Sequence, residues 1–220
     1  MVMPSLQAQP YKNPSLSPEE RPADLLQRMT LEEKIAQIRH IHSWNIFEEQ
    51  ELNKSKLQEF VGDLCWGFVE GFPLIGENCH RHMRHIQEYM LNHTRLGIPI
   101  FTVAEALHGS VHEGSTIYPQ NIALASTFNP ELAYLRATEI SKELHYQGIN
   151  QILAPCIDVV RDLRWGRIEE SYGEDPYLNG IFAYKEAKGY LDNGISPMLK
   201  HYGAHGNPLG GLNLASVHCG

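Results

Sequence analysis

The sequence has no apolar run long enough to cross a membrane and no excess of basic residues. None of its apolar stretches reaches the roughly 20 residues that a membrane-spanning helix needs. The 18 lysines and arginines are outnumbered by 26 aspartates and glutamates, which gives a formal net charge of -8. Partners rich in phosphate, such as nucleic acids and anionic membranes, require a basic surface. The sequence therefore predicts neither of these partners, and its charge is compatible with a neutral substrate.

Cysteine is also sparse, and the four cysteines form no CxxC pair and no dense framework. We interpret Cys65, Cys79, Cys156 and Cys219 as reduced, packed thiols rather than as disulfides. The first ten residues lack a basic segment followed by a long apolar one, so they contain no complete secretory signal. Localisation stays open: the protein is periplasmic or secreted if an upstream signal was removed, and cytoplasmic otherwise.

With 42% hydrophobic and 20% charged residues, the 220-residue chain has the composition of a globular domain or of part of a larger one. Residues 1–16 contain three prolines and are predicted to form an extended arm. Ser17 and Glu20 have the spacing of a capping box, and Thr30 and Glu33 repeat it, which predicts two short helices.

After these helices, apolar segments alternate with capped helical segments. Strands are expected within residues 64–69, 98–104, 149–160 and 197–202, and the intervening helices are expected at residues 77–95, 129–147 and 175–194. This alternation predicts an α/β fold of about four βα units with a parallel sheet, either a barrel or a doubly wound sheet.

Polar residues follow the predicted strands at the point where each strand ends. Glu105 follows the second strand, residues 158–167 follow the third, and Lys200, His201 and His205 follow the fourth. Because parallel strands place their carboxyl ends at one edge of the sheet, that edge is predicted to carry the functional site.

Four segments together carry a resemblance to a known family: RMTLEEKIAQI (28–38), RLGIPIFTVAEALHG (95–109), APCIDVVRDLRWGRIEESYGEDP (154–176) and LKHYGAHG (199–206). In this order they resemble glycoside hydrolase family 3, and the likeness runs from residue 11 onward. The resemblance implies the N-terminal half of a (β/α)8 TIM-type barrel. Residues 17–220 would form this partial domain, truncated before the catalytic nucleophile.

The resemblance also implies an activity. Enzymes of this family are exo-acting retaining β-glycosidases, so we expect a β-glucosidase or β-xylosidase that releases a terminal sugar from oligosaccharides or glycosides. The family nucleophile is an aspartate on a later strand, beyond Gly220, so no catalytic residue is expected within this chain. No cofactor is expected either. The chain would need the missing C-terminal part of the parent enzyme and would not turn over substrate alone.

By the same resemblance, Glu105, Arg167, Lys200 and His201 are expected to bind the sugar. A carboxylate such as Glu105 can accept two hydrogen bonds from adjacent hydroxyls, although an ion pair with an arginine is an alternative role. Neighbouring side chains of a regular strand point to opposite faces, so Lys200 and His201 can share a pocket only across a bulge or a cis peptide. We therefore predict unusual backbone between residues 200 and 202.

The other arginines of the 161–167 segment bear on whether the chain binds RNA, and the loop that follows His205 bears on its branch of the family. An RNA-binding loop is disfavoured because acidic residues follow directly, and Arg164 is expected to tie the loop to them. The loop after Gly206 has no Asp-Ser-His element, which argues against the N-acetylglucosaminide branch of the family.

Two other functions remain open at this point. One is a non-catalytic sugar-binding half-barrel that needs a partner chain. The other is a metal-dependent enzyme, using the His201 and His205 pair or the histidine-rich helix with Cys79, His80, His82 and His85, although a solvated helix and no metal is the preferred interpretation.

Overall fold

The structure, a computed structural model, describes residues 9–49, 51–70 and 76–218. Its main sheet has five parallel strands in the order β1-β4-β5-β6-β7, and a separate antiparallel hairpin pairs β2 with β3. The strands are β1 (His40–His42), β2 (Phe47–Glu48), β3 (Glu51–Leu52), β4 (Phe68–Glu70), β5 (Phe101–Ala104), β6 (Gln151–Ile152) and β7 (Ser196–Pro197).

Helices connect successive strands of the main sheet, and two further helices precede its first strand. They are α1 (Glu20–Arg28), α2 (Leu31–Gln37), α3 (Lys54–Val61), α4 (Gly76–His93), α5 (Asn121–Ala125), α6 (Glu131–Gln147) and α7 (Pro176–Asp192). Short 3-10 segments occur at Pro10–Lys12, Ser43–Asn45, Ile168–Glu170 and Leu209–Gly211. None of the helices in the described part of the chain is long and apolar enough to cross a membrane.

The predicted helix boundaries follow from capping side chains. Thr30 and Glu33 form the reciprocal capping box at the start of α2, and Ser17 and Glu20 exchange the same pair of bonds before α1. Asp175 accepts a hydrogen bond from the Leu178 amide at the start of α7.

The sheet has one face covered by helices and one that the helices leave uncovered. Ile41, Val69 and Thr102, on three adjacent strands, are fully buried on the covered face, where Ile41 and Val69 join the hydrophobic core with residues of α3, α4 and α6. On the other face the rings of Phe68 and Phe101 stack with centroids 5.6 Å apart. This one-sided parallel arrangement confirms the predicted α/β class.

Several details differ from the sequence-based expectations, and α3, α5 and the β2–β3 hairpin are elements that the sequence did not predict. The sheet contains a fifth strand, β1, which the sequence did not reveal because its His-Ile-His sequence has one apolar residue between two histidines. In the predicted N-terminal arm, Tyr11 lies in a 3-10 turn and is buried, and its hydroxyl donates to the Leu96 carbonyl at 2.7 Å. Residues 1–8 of that arm lie outside the described residues.

The prediction of packed thiols is confirmed where the structure tests it. Cys65, Cys79 and Cys156 are free and buried. Cys219 lies outside the described residues.

Candidate functional site

The four residues predicted to bind a sugar lie at the carboxyl edge of the main sheet. Glu105 follows β5 directly, Lys200 and His201 come three and four residues after β7, and Arg167 lies in the loop after β6. Lys200 contacts Glu105, His201 contacts Arg167, and the Lys200–His201 peptide bond joins the two pairs into what we call the strand-end cluster. It consists of these four residues together with Asp158, Glu170 and His205.

Glu105 and Lys200 form the first contact of the cluster. The Lys200 Nζ lies 2.8 Å from each carboxylate oxygen of Glu105, so the ammonium group sits between them. The lysine side chain is largely buried, with 12% of its surface exposed. The partner of Glu105 is thus a lysine of the cluster rather than the arginine considered as an alternative.

His201 is held by Asp158. The Lys200–His201 peptide bond is cis, which confirms the predicted unusual backbone. Asp158 Oδ2 accepts from the His201 backbone amide at 3.2 Å and from His201 Nδ1 at 2.7 Å. Asp158 is buried and also accepts from the Cys156 thiol at 3.1 Å. This arrangement leaves the His201 Nε2 atom facing the cluster.

Arg167 links the histidines to a third carboxylate. Its Nε and Nη2 atoms donate to Glu170 at 2.7 and 2.6 Å, and these bonds raise the pKa of the guanidinium. The remaining Nη1 atom lies 3.4 Å from His201 Nε2 and 3.2 Å from His205 Nε2. Arg167 therefore stays charged, and one of its amino groups points to the two imidazoles.

His205 completes the cluster. Its ring packs edge-on against Trp165, with centroids 5.1 Å apart, and lies 4.1 Å from the His201 ring. Burial, and then the neighbouring His201, lower the pKa of His205. The ring is consequently neutral at pH 7, and its Nε2 atom can accept a hydrogen bond from Arg167.

Sequence reasoning missed the roles of Asp158, Glu170 and His205, although all three lie in segments that it singled out. Asp158 comes 43 residues before the histidine that it holds, so no local spacing reveals the pair. Arg164 pairs with an acidic neighbour, but with one that precedes it rather than with those that follow: its guanidinium donates to Asp162 at 3.0 and 2.7 Å, and these hydrogen bonds lower the pKa of Asp162 to about 2.

The metal site considered on the histidine-rich helix is not formed. In α4, Cys79 is buried and its pKa is raised to about 12 by burial, whereas His80 is exposed. Groups with metal-ligand geometry among the described residues lie elsewhere, at Cys156, Asp158 and His201 and at His40, His42 and Glu70. His201 and His205 do meet, but through a non-helical segment rather than as neighbours on a helix.

A separate cleft of about 700 Å³ lies between α3 and α4 and is lined by residues such as Leu57, His85 and Tyr89. None of the strand-end cluster lines it. We assign the candidate site to the cluster because convergent donors and acceptors, rather than volume alone, recognise a polar ligand.

Comparisons with known proteins show what the chain is similar to. The family model described as "Glycosyl hydrolase family 3 N terminal domain" matches residues 30–219. A putative beta-xylosidase of Formosa agariphila is 34% identical over 96% of this chain and 30% of its own length. A periplasmic beta-glucosidase of Salmonella typhimurium is 31% identical over 98% of this chain and 28% of its own.

Solved structures show the same fold. A beta-glucosidase from Erythrobacter marinus superposes with a TM-score of 0.88 at 29% identity, covering 97% of this chain and 29% of that one. The beta-glucosidase from Listeria innocua in complex with glucose gives a TM-score of 0.74 at 30% identity, covering 89% and 28%. The chain thus spans about 30% of the relatives that it matches, and the predicted N-terminal half of a TIM-type barrel is confirmed.

Proposed function

The chain belongs to glycoside hydrolase family 3, and from that premise we propose that it supplies the sugar-binding subsite of an exo-acting retaining β-glycosidase. The substrate is a neutral oligosaccharide or glycoside from which a terminal glucose or xylose is released. The observation that carries the proposal is that Lys200, bound to Glu105, and His201, beside Arg167, are adjacent in the chain, so that all four residues lie at one edge of the sheet.

The cluster offers the alternation of donors and acceptors that a sugar requires. Each hydroxyl of a sugar ring both donates and accepts, so neighbouring hydroxyls are best bound by an acceptor placed beside a donor. Glu105 and Lys200 provide such a pair at 2.8 Å. Arg167 Nη1 adds a second donor, and the imidazole nitrogens facing it change partner at little cost because they are bonded at 3.2 to 3.4 Å.

The same contacts argue that the cluster binds the sugar rather than attacks it. A retaining glycosidase uses two carboxylates about 5–5.5 Å apart, one as nucleophile and one as acid and base. Each of the three carboxylates of the cluster already faces a basic side chain: Glu105 faces Lys200, Asp158 faces His201 and Glu170 faces Arg167. We propose that the two catalytic carboxylates belong to other parts of the parent enzyme.

Lys200→Ala tests the sugar-binding role. We expect it to weaken binding of D-glucose and D-xylose by about tenfold or more, because a hydrogen bond from a charged donor contributes about 1.5–3 kcal/mol. Ligand-detected NMR titration of the full chain measures this affinity.

The matched control is Lys185→Ala, which removes another lysine paired with a glutamate, Glu131, on the surface of α6 and α7. It should leave sugar binding unchanged. Equal affinities of the Lys200→Ala variant and the unsubstituted chain would contradict the proposal, as would an equal loss in both variants.

A second candidate function is sugar binding without catalysis, in a half-barrel completed by a partner chain. Each carboxylate in the cluster is paired with a basic side chain, and this pairing favours non-catalytic sugar binding as much as it favours the binding subsite of a glycosidase. The two functions differ in one respect: only the first requires that a protein of family length carrying this segment hydrolyses β-glycosides.

A further inference from the structure

A second group of ligand-type side chains lies at the opposite end of the sheet from β7. Strand β1 carries His40 and His42, and the neighbouring strand β4 ends in Glu70. His42 pairs in register with Glu70, and His40 pairs with Phe68. Because side chains two residues apart on a strand share a face, both imidazoles and the carboxylate lie on the same side of the sheet.

This side is the face that the helices leave uncovered. Ile41, between the two histidines, is buried on the helical side. The histidine side chains keep 35% and 39% of their surface exposed, and that of Glu70 keeps 17%. An ion from solvent can therefore reach all three side chains without any rearrangement of the core.

The three donor atoms have the spacing of a metal site. His40 Nε2 lies 3.0 Å and His42 Nδ1 lies 3.7 Å from the same oxygen, Oε2 of Glu70, and the three donor atoms lie within 4.8 Å of one another. Bonds of about 2.0–2.1 Å in a tetrahedral site hold ligand atoms about 3.3 Å apart. The two histidine–carboxylate distances differ from this spacing by about 0.3 and 0.4 Å, and the two imidazole donors lie within 4.8 Å of each other.

Direct contacts account for part of the arrangement: His40 lies at hydrogen-bond distance from Glu70, and the His40 and His42 rings meet edge-on with centroids 4.2 Å apart. One carboxylate oxygen serves His40 at hydrogen-bond distance, but the 3.7 Å to His42 is too long for a hydrogen bond. The His42 ring is nevertheless fixed, because it stacks on the indole of Trp44 with centroids 4.0 Å apart and planes 10° apart. The stack holds Nδ1 toward the carboxylate, at ion-pair distance but beyond hydrogen-bond distance.

We propose that His40, His42 and Glu70 bind a divalent transition-metal ion of the zinc type. Two imidazoles and one carboxylate suit Zn²⁺, Co²⁺ or Ni²⁺, whereas Mg²⁺ and Ca²⁺ prefer oxygen ligands alone. Three protein ligands leave a coordination position for water or for a further ligand.

The other group with ligand geometry, at Cys156, Asp158 and His201, is a weaker candidate. Burial and the bond to Asp158 raise the pKa of the Cys156 thiol to about 12, so the thiolate that a metal prefers is disfavoured. Asp158 and His201 also bind each other at 2.7 Å within the strand-end cluster. The histidine pair on β1 lies outside that cluster, and of its two rings His40 is at hydrogen-bond distance from Glu70 whereas His42 is not.

The proposed metal site and the strand-end cluster share one edge of the sheet. Strand β4 lies between β1 and β5, and Glu105 follows β5. The metal ion would lie at one end of the candidate sugar site, although its binding does not depend on a sugar. Success or failure of the metal proposal is therefore independent of the proposed function.

Titration of Zn²⁺ into the untagged, chelator-treated chain tests the proposal by calorimetry. We expect one ion per chain at this site and a higher unfolding temperature in its presence, because an ion that binds the native state stabilises it. His42→Phe removes the ligand atom but keeps the ring stacked on Trp44, and Glu70→Gln keeps the shape of the carboxylate. Each should weaken binding by at least about tenfold.

The matched control is His80→Ala, which removes an exposed histidine of α4 and should leave the affinity unchanged. Equal unfolding temperatures of the metal-free proteins establish that the variants fold. Should His42→Phe lower that temperature, Glu70→Gln alone provides the comparison. Stoichiometric binding that survives both ligand substitutions, or the absence of stoichiometric binding in the unsubstituted chain, would overturn the proposal.

Discussion

At the scale of single residues, Asp158, which was not predicted to belong to the site, orients His201, which was. The buried carboxylate accepts two hydrogen bonds from His201, one from the ring and one from the backbone. Both bonds fix the orientation of the ring and keep the proton on Nδ1, so that Nε2 faces Arg167. Asp158 is thus a positioning residue, which need not touch the sugar.

Asp158→Asn should therefore weaken sugar binding by roughly tenfold, because an amide is a weaker acceptor than a carboxylate and does not select one tautomer of His201. Nitrogen NMR of the His201 ring measures the tautomer directly, and a purely structural role would not alter it. Asp162→Asn is the control, since that carboxylate binds Arg164 away from the cluster. An unchanged tautomer in Asp158→Asn would refute the positioning role.

The residues that sequence reasoning found and missed differ in one physical respect. The resemblance implied that Lys200 and His201 bind one sugar, and because they are adjacent, the alternation of a strand then predicted unusual backbone between them. Asp158 and His205 depend on the approach of distant loops, and Arg167 reaches His205 across 38 residues. The spacing of residues in a single sequence does not show which distant loops come into contact.

At the scale of elements, α6 and α7 are held together by a buried ion pair. Arg136 Nη2 donates to Glu186 Oε2 at 2.6 Å, and both side chains are almost completely buried. The Tyr172 hydroxyl also donates to this carboxylate, and Arg136 donates to Asn121. Removing one charge leaves the other buried without compensation.

We expect Glu186→Gln to lower the free energy of unfolding by about 3–5 kcal/mol, the usual cost of breaking a buried pair from one side. Urea unfolding followed by circular dichroism measures the change. Glu139→Gln removes an exposed carboxylate of α6, bound to Lys142, and should cost no more than about 0.5 kcal/mol. Similar values for the two variants would show that the buried pair does not hold the helices.

Boundaries of the elements were more predictable than their number. Capping side chains act within three or four residues, so the starts of α2 and α7 and the left-handed end of α6 at Gly148 could be located from the sequence. Strand β1 is stabilised by its pairing with β4, and its own three residues contain too little apolar surface to indicate a strand.

At the scale of the whole molecule, the sheet presents a face that a closed barrel would turn inward. Phe101 is 46% exposed there and stacks on Phe68. Inward side chains of a (β/α)8 barrel are packed against one another from all its strands. The exposed face agrees with a chain that spans about 30% of its relatives' length. Sugar binding by this chain can therefore be tested separately from catalysis by a protein of family length.

We expect the 220-residue chain to bind sugar without hydrolysing nitrophenyl β-glucoside or β-xyloside. The reason lies in the cluster, where Glu105, Asp158 and Glu170 each face a basic side chain, a pairing expected of binding residues rather than of the two catalytic carboxylates. Release of nitrophenolate measures the activity. A protein of family length that carries this segment should hydrolyse the same substrates, and proton NMR should show that the first product keeps its anomeric configuration.

Lys200→Ala in the family-length protein should lower kcat/KM by about tenfold or more, whereas Lys185→Ala should not, because only Lys200 contacts the proposed subsite. If the family-length protein binds sugar but hydrolyses neither substrate, the non-catalytic function is the correct one. Turnover by the 220-residue chain itself that Glu105→Gln abolishes would instead place the chemistry within the cluster. It would contradict the assignment of Glu105 to binding, since a carboxylate held by Lys200 at 2.8 Å would then have to exchange that partner for the reacting sugar.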